Sequence, residues 1–116
     1  GRLSETILDK LRVAVTFVDS DGNIVYVNQC ASQRPSDVPR RPGMNIADCH
    51  SERTNREIAR MFQEFRAGRR EPHHYVGNRL GTRELVTIVP LFEGDTFVGC
   101  FSQIYPLEVE GPERSF

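Results

Sequence analysis

Cysteine is scarce in this chain of 116 residues. Cys30, Cys49 and Cys100 are odd in number, widely spaced and without a C-x-x-C pair. A secreted domain held by disulfides, or a structural zinc site, would need more cysteines at closer spacing. The sequence therefore favours a reducing, cytoplasmic environment.

Long hydrophobic runs and charge of one sign are also missing. No apolar run approaches the roughly 18 residues of a membrane-spanning helix, and no signal-peptide core lies near the first residue. The 15 basic and 16 acidic residues leave a net charge of −1. Such a balance does not indicate a nucleic-acid-binding surface or an acidic disordered tail. We expect no membrane association and no direct contact with nucleic acid.

Enzyme signatures are absent as well. The sequence contains no glycine-rich phosphate-binding loop, no HExxH and no GxSxG. A small enzyme built around a cavity would need an ionisable side chain isolated in an apolar pocket. No predicted strand carries an isolated buried acid. The sequence predicts a binding module without catalysis, with a small cavity enzyme as an alternative.

What is present is a chain that can bury one core, since 38% of its residues are hydrophobic. Residues 1–12 are predicted to form an amphipathic helix with Ser4 as its cap. The apolar positions of this helix follow helical spacing: Leu3, Ile7, Leu8 and Leu11.

A second helix is predicted over residues 55–67. Thr54 and Glu57 fit a capping box at its start, and Gly68 fits the left-handed residue that ends many helices. Its apolar stripe has the i, i+3, i+4, i+7 spacing of a face turned toward a core, and consists of Ile58, Met61, Phe62 and Phe65.

Five β-rich runs predict strands. The first two flank an Asp21-Gly22 turn and predict a hairpin. The last three form a meander, and short helical turns are expected in the proline-rich region between hairpin and helix. The predicted fold class is α+β, with a five-stranded antiparallel sheet that has helices on one face and an N-terminal helix.

Both faces of the predicted sheet carry apolar side chains, which an antiparallel sheet with one solvated face would not. Strict alternation in the last strand places Phe97 and Cys100 on opposite faces. The second face then needs a cover, either the N-terminal helix or a second subunit. We expect a homodimer in which Leu3, Ile7, Leu8 and Leu11 contribute to the interface.

The first and last hairpins resemble those of PAS domains. In residues 13–31 an apolar strand ends in Asp, turns at Asp-Gly and returns to an Asn, and residues 90–99 resemble the last PAS hairpin. The resemblance implies a sensory domain over residues 13–105, preceded by the helix of residues 1–12. Pro106, Gly111 and Pro112 predict that residues 106–116 form a loose tail. The resemblance also implies a role in signal transduction through a small-molecule ligand or a signalling partner domain.

Two segments, Ile46–His50 and Phe62–Gly68, are similar to PAS-like modules at the C-terminus of some hemerythrin-fused bacterial proteins. Flavin-binding PAS domains carry a reactive Cys in an Asn-Cys-Arg-Phe-type helix, and the Cys49-His50-Ser51 sequence does not support that chemistry. The last strand lacks the Asp-x-Thr motif that couples many PAS domains to an output helix.

Candidate ligand-contacting residues follow from these features. The helix stripe Ile58, Met61, Phe62 and Phe65 would line a cavity or only fill the core. Ser102 and Gln103 interrupt an apolar strand and would hydrogen-bond either a ligand or the backbone.

The pair Cys49 and His50 allows two interpretations. His50 would be a haem or metal ligand, or the pair a redox-sensitive spot. Alternatively, Cys49 is a small buried hydrophobe and His50 an ordinary polar side chain near a helix start. We favour the second interpretation and expect His50 to point outward.

Overall fold

A five-stranded antiparallel sheet forms the frame of the fold in the computed structural model, which describes residues 1–35, 38–108 and 110–115. The strand order is β2-β1-β5-β4-β3. The elements follow one another as α1 (Arg2–Lys10), β1 (Ala14–Asp19), β2 (Ile24–Val27), α2 (Gln29–Ser32), a 3-10 helix (Ile46–Cys49), α3 (Glu52–Arg66), β3 (His73–Arg79), β4 (Thr82–Glu93) and β5 (Thr96–Pro106). This order confirms the α+β prediction.

The β1–β2 turn forms as the Asp-Gly pair predicts. Asp19 Oδ1 accepts hydrogen bonds from the backbone N–H groups of Asp21 and Asn23, at 3.0 and 2.9 Å. Gly22 has a φ of +84°, which a residue with a Cβ rarely adopts. The loop therefore depends on glycine at this position.

Helix α3 begins earlier than the sequence predicts. Ser51 is the N-cap, and its side-chain oxygen accepts from the N–H of Thr54 at 3.3 Å. The predicted Thr54–Glu57 capping box is wrong because both residues lie inside the helix, where Glu57 pairs with Arg53 instead. The predicted stop is correct, since Gly68 has a φ of +110° directly after the last turn.

Helix α1 begins at Arg2 with Gly1 as its N-cap, so Ser4 lies within the helix and does not cap it. Asp9 accepts from the Tyr26 hydroxyl at 2.8 Å, and the Asn28 amide donates to the Leu8 carbonyl at 2.8 Å. These contacts hold α1 against the junction of β2 and α2. None of the residues of α1 is fully buried, and Leu8 is half-buried.

A bulge in β5 changes which side chains share a face. Leu91 lies opposite Gly99, but Phe92 lies opposite Phe97, so Val98 is an extra residue in β5. The strict alternation predicted for this strand is therefore wrong, and Phe97 and Cys100 lie in the same buried cluster. Only glycine fits at position 99, because a Cβ there would lie 2.2 Å from the Val18 carbonyl oxygen.

The core is aromatic and lies between the sheet and the C-terminal half of α3. Phe62 and Phe65 pack on Phe97 with ring centroids 5.5 and 5.6 Å apart, and Phe92 packs on Phe97 at 5.9 Å. Phe65 has no exposed surface. The α3 stripe therefore faces the sheet as predicted.

The chain after β5 has little regular structure. β5 includes Pro106, and the N–H of Leu107 still donates to the Arg83 carbonyl at 3.0 Å. Residues 110–115 belong to no helix or strand, and Val109 and Phe116 lie outside the described residues. Within the described part of the chain, no helix has the length and apolar character needed to cross a bilayer.

Candidate functional site: a cavity under helix α3

A cavity of about 100 Å³ lies between the N-terminal half of α3 and the sheet. Ile58, Met61 and Phe62 of α3 cover it. Its floor comes from strands β1, β3, β4 and β5, and its side wall from the segment before α3. The floor and wall residues are Thr16, Val18, Arg40, Ile46, His50, Tyr75, Val86, Ile88, Cys100, Ser102 and Ile104.

Two hydroxyl groups lie side by side on the otherwise apolar floor. Thr16 and Ser102 are direct cross-strand partners on β1 and β5, so their side chains project from the same face. Among the described residues, neither hydroxyl has a hydrogen-bond partner. A polar group that lines an apolar cavity without a protein partner gains by bonding water or a ligand.

Cys100 lies next to these hydroxyls on β5 and also faces the cavity. Burial raises the pKa of its thiol to about 12. The thiol therefore stays protonated at neutral pH, and it contributes a weakly polar surface, not a nucleophile.

The side wall is organised by His50. Its Nδ1 lies 2.8 Å from the carbonyl oxygen of Ile46, which can only accept, so Nδ1 carries the proton. Its Nε2 lies 3.1 Å from Nη2 of Arg40 and accepts a hydrogen bond from it. Burial lowers the pKa of His50, and the Arg40 charge lowers it further against the opposing effect of the Ile46 bond. His50 is therefore neutral at pH 7, with both ring nitrogens engaged.

The structure places the candidate residues at different sites. His50, Ile58, Met61, Phe62 and Ser102 line the cavity. Phe65 lies in the packed core instead. Gln103 is on the opposite face of the sheet, in the row of Val15 and Thr87. Cys49 lies on an open surface pocket on the other side of His50.

We expected His50 to point outward, but it does not point only to solvent. Its ring lines both the cavity and the surface pocket beside Cys49, so it separates the two. The 3-10 helix Ile46–Cys49 produces this orientation, because it brings the Ile46 carbonyl within reach of Nδ1.

Sequence reasoning missed Arg40 and Tyr75, which both line the cavity. Arg40 lies in the proline-rich segment before α3, where no periodicity indicates which side chains turn inward. Tyr75 is a conspicuous aromatic in an edge strand, but its neighbours do not reveal which face is covered.

A haem group does not fit this cavity. Sites for ligands of drug size occupy about 300–1,000 Å³, several times the 100 Å³ present here. The Nε2 lone pair that would bind iron is already used by Arg40.

The other two histidines do not join His50 in a metal site. His73 packs its ring on Phe65 at 5.4 Å, whereas His74 turns to the opposite face and lies 3.1 Å from the Thr87 hydroxyl. The described residues contain no group of three or more metal-ligating side chains.

Solved structures from bacteria share this fold. A C-terminal domain from Streptococcus mutans has a TM-score of 0.74 and 22% identity, over 92% of this chain and 84% of that one. The PAS domain of BvgS from Bordetella pertussis has a TM-score of 0.67 and 13% identity, over 93% and 86% of the two chains. A sensory box sensor histidine kinase from Vibrio cholerae gives 0.65 and 18%, over 92% and 88%. At these identities the likeness shows the fold.

The family itself is shown by sequence. No curated protein matches the chain. The family model described as PAS domain matches residues 5–98, which include the first hairpin, α3 and the chain up to the start of β5. The chain belongs to the PAS domain family.

Proposed function

We propose that this PAS domain is a sensory module that binds a small molecule in the cavity under α3 and releases it unchanged. The observation that carries the proposal is the apolar cavity whose floor holds the unpartnered hydroxyls of Thr16 and Ser102. The Vibrio cholerae relative in fold is a sensor histidine kinase, which supports a signalling role.

The cavity volume limits the size of the ligand. An engineered apolar cavity of about 150 Å³ holds benzene. A cavity of 100 Å³ then suits a molecule of about four to six non-hydrogen atoms. Ile58 and Met61 would contact its apolar part, and the floor hydroxyls would bond its polar part.

A ligand in the cavity would affect both the sheet and the helix that covers it. A bound molecule would contact α3 above and β5 below, so binding would strengthen the packing between helix and sheet. A change of this kind at the helix–sheet interface is what a partner domain would sense.

The test combines native mass spectrometry of the purified protein with a thermal-shift screen of small polar organic molecules. We expect a bound small molecule or a ligand-dependent rise in Tm. Met61→Trp, which fills the cavity, should abolish it, and Arg60→Trp on the exposed side of α3 should leave it intact. Equal binding by the Met61→Trp variant would contradict the proposal.

We also propose that the protein acts as a homodimer in a reducing compartment such as the cytoplasm. Leu3 and Ile7 of α1 remain 73% and 52% exposed, which leaves an apolar helix face without a cover in the described structure. The three cysteines are free thiols, which fits a reducing environment. Sedimentation should show a dimer that Ile7→Gln weakens and Thr6→Gln does not. A monomer at high micromolar concentration would refute the dimer.

A further inference from the structure

We infer that the cavity selects a small anion, a short-chain carboxylate whose acid group pairs with Arg40. This inference rests on the proposed small-molecule function and names the chemical class of the ligand.

Arg34, Arg40, Arg69 and Arg79 are the partly buried arginines of the described residues, and they differ in their ion pairs. Two of them pair with carboxylates: Arg34 with Glu84 and Arg69 with Glu64. Among the described residues, no carboxylate lies within ion-pair distance of Arg40. A cation that is partly withdrawn from water and lacks a counter-charge favours an anion that enters the same space.

The only hydrogen-bond partner of Arg40 in the described structure is the neutral His50 ring. A guanidinium carries five N–H donors in a planar fork, and His50 uses one of them. The remaining donors can take a carboxylate in the two-point geometry that arginine favours. Because His50 Nδ1 is tied to the Ile46 carbonyl, the ring fixes the guanidinium in place.

The described acidic side chains form no ion pair with Arg40, and Asp48, which borders the surface pocket beside His50, is exposed. Glu84 is engaged by Arg34, and the exposed Glu57 lies near Arg53, with an N···O distance of 3.8 Å. Burial raises the pKa of Tyr75, while the Arg40 charge lowers it and the Glu57 charge raises it, so both charges act near this side chain. An incoming carboxylate therefore meets a cation that has no ion-pair partner among the described residues.

The rest of the cavity fits the body of such a ligand. Beyond Arg40 the lining is mostly apolar, with Ile46, Ile58 and Met61 around the space a short alkyl chain would occupy. The volume of 100 Å³ matches a chain of about one to three carbons next to the acid group.

The test is a calorimetric titration with acetate, propionate, butyrate and valerate, each paired with its neutral primary amide of equal size. The proteins are wild type, Arg40→Gln and Arg41→Gln, where Arg41 is the exposed neighbour. We expect at least one acid to bind wild type and Arg41→Gln at least about tenfold more tightly than its amide does. Arg40→Gln should remove this preference, so that each acid and its amide bind the variant with similar affinity.

Three results would overturn the inference: acid and amide of equal affinity, an unchanged acid preference in Arg40→Gln, or no binding by any of the four acids. In the first two cases, the small-molecule proposal still stands if Met61→Trp abolishes the binding. In the third, the mass spectrum of the purified protein decides that proposal independently. A loss shared by Arg40→Gln and Arg41→Gln would indicate a general surface-charge effect and would also overturn the inference.

Discussion

The two halves of α3 cover very different surroundings, although one apolar stripe runs along both. The C-terminal half places Phe65 in a packed aromatic cluster with no exposed surface. The N-terminal half places Ile58 and Met61 over a cavity. The helix thus stabilises the fold with one half and leaves room for a ligand with the other.

The difference comes from the sheet beneath the helix. Phe92 and Phe97 fill the space under the C-terminal half. Under the N-terminal half the floor carries the small side chains of Thr16, Cys100 and Ser102. Large aromatic residues therefore close the core under one half of the helix, and smaller side chains leave a cavity under the other.

The largest expected effect is on stability at the packed half. Phe65→Ala should lower the free energy of unfolding by about 3–5 kcal/mol, because it leaves a large void in a closed core. Met61→Ala should cost less than about 2 kcal/mol, since its side chain already borders a cavity and makes fewer contacts to lose. Urea denaturation of both variants checks the contrast, and equal losses would mean that the halves do not differ.

The β1–β2 turn connects the hairpin to the cavity wall. A Cβ on Gly22 would lie 3.3 Å from Cγ1 of Ile46, a wall residue, whereas one on Gly43 would contact nothing within 4 Å. Both glycines have positive φ, so valine strains the backbone at each. Gly22→Val should cost about 1–3 kcal/mol, and more than Gly43→Val. An unchanged denaturation midpoint for Gly22→Val would show that stability does not depend on glycine in this turn.

The smallest expected effect is on the pH dependence of stability. One histidine lies beside each half of α3 and contributes to this dependence. Burial lowers the pKa of His50 beside the cavity and of His73 against Phe65, and neighbouring arginines lower both further. As the pH falls, a histidine in the unfolded chain binds its proton near pH 6.5, whereas the two folded histidines bind theirs only at lower pH. The contribution of these two histidines to the free energy of unfolding is therefore fully present above pH 6.5. It is lost as the pH falls from there through the lower pKa values of the folded state.

NMR titration of the imidazole signals checks these directions. His50 and His73 should titrate below a free histidine, and His50→Gln or His73→Gln should flatten the acid loss of stability. A His50 pKa at or above 6.5 would contradict the bonding scheme in which its Nε2 accepts from Arg40.

Local signals were enough to predict the elements. The Asp21-Gly22 pair determines a hairpin within a few residues, and Gly68 ends α3 by its own conformational freedom. The N-cap was missed because two serine or threonine signals lie three residues apart. Ser51 starts the helix, while the Thr54–Glu57 pair imitates a start.

Non-local pairing explains what the sequence did not reveal. The bulge at Val98 and Gly99 depends on how β5 meets β4 and β1, and it moves Phe97 and Cys100 onto one face. Arg40 reaches the cavity through an irregular segment whose path depends on tertiary contacts. The half of the site carried by α3 followed from periodicity, and the half carried by this segment did not.

The most direct test of the difference between the two halves of α3 is an NMR titration with butyrate, in which the backbone amide signal of each residue is followed separately. The account predicts saturable shifts at Arg40, His50, Met61 and Ser102, with Phe65 and Phe97 nearly unchanged, and loss of these shifts in Met61→Trp. Shifts centred on Phe65 and Phe97, shifts confined to surface arginines, or no saturable shift at all would contradict it.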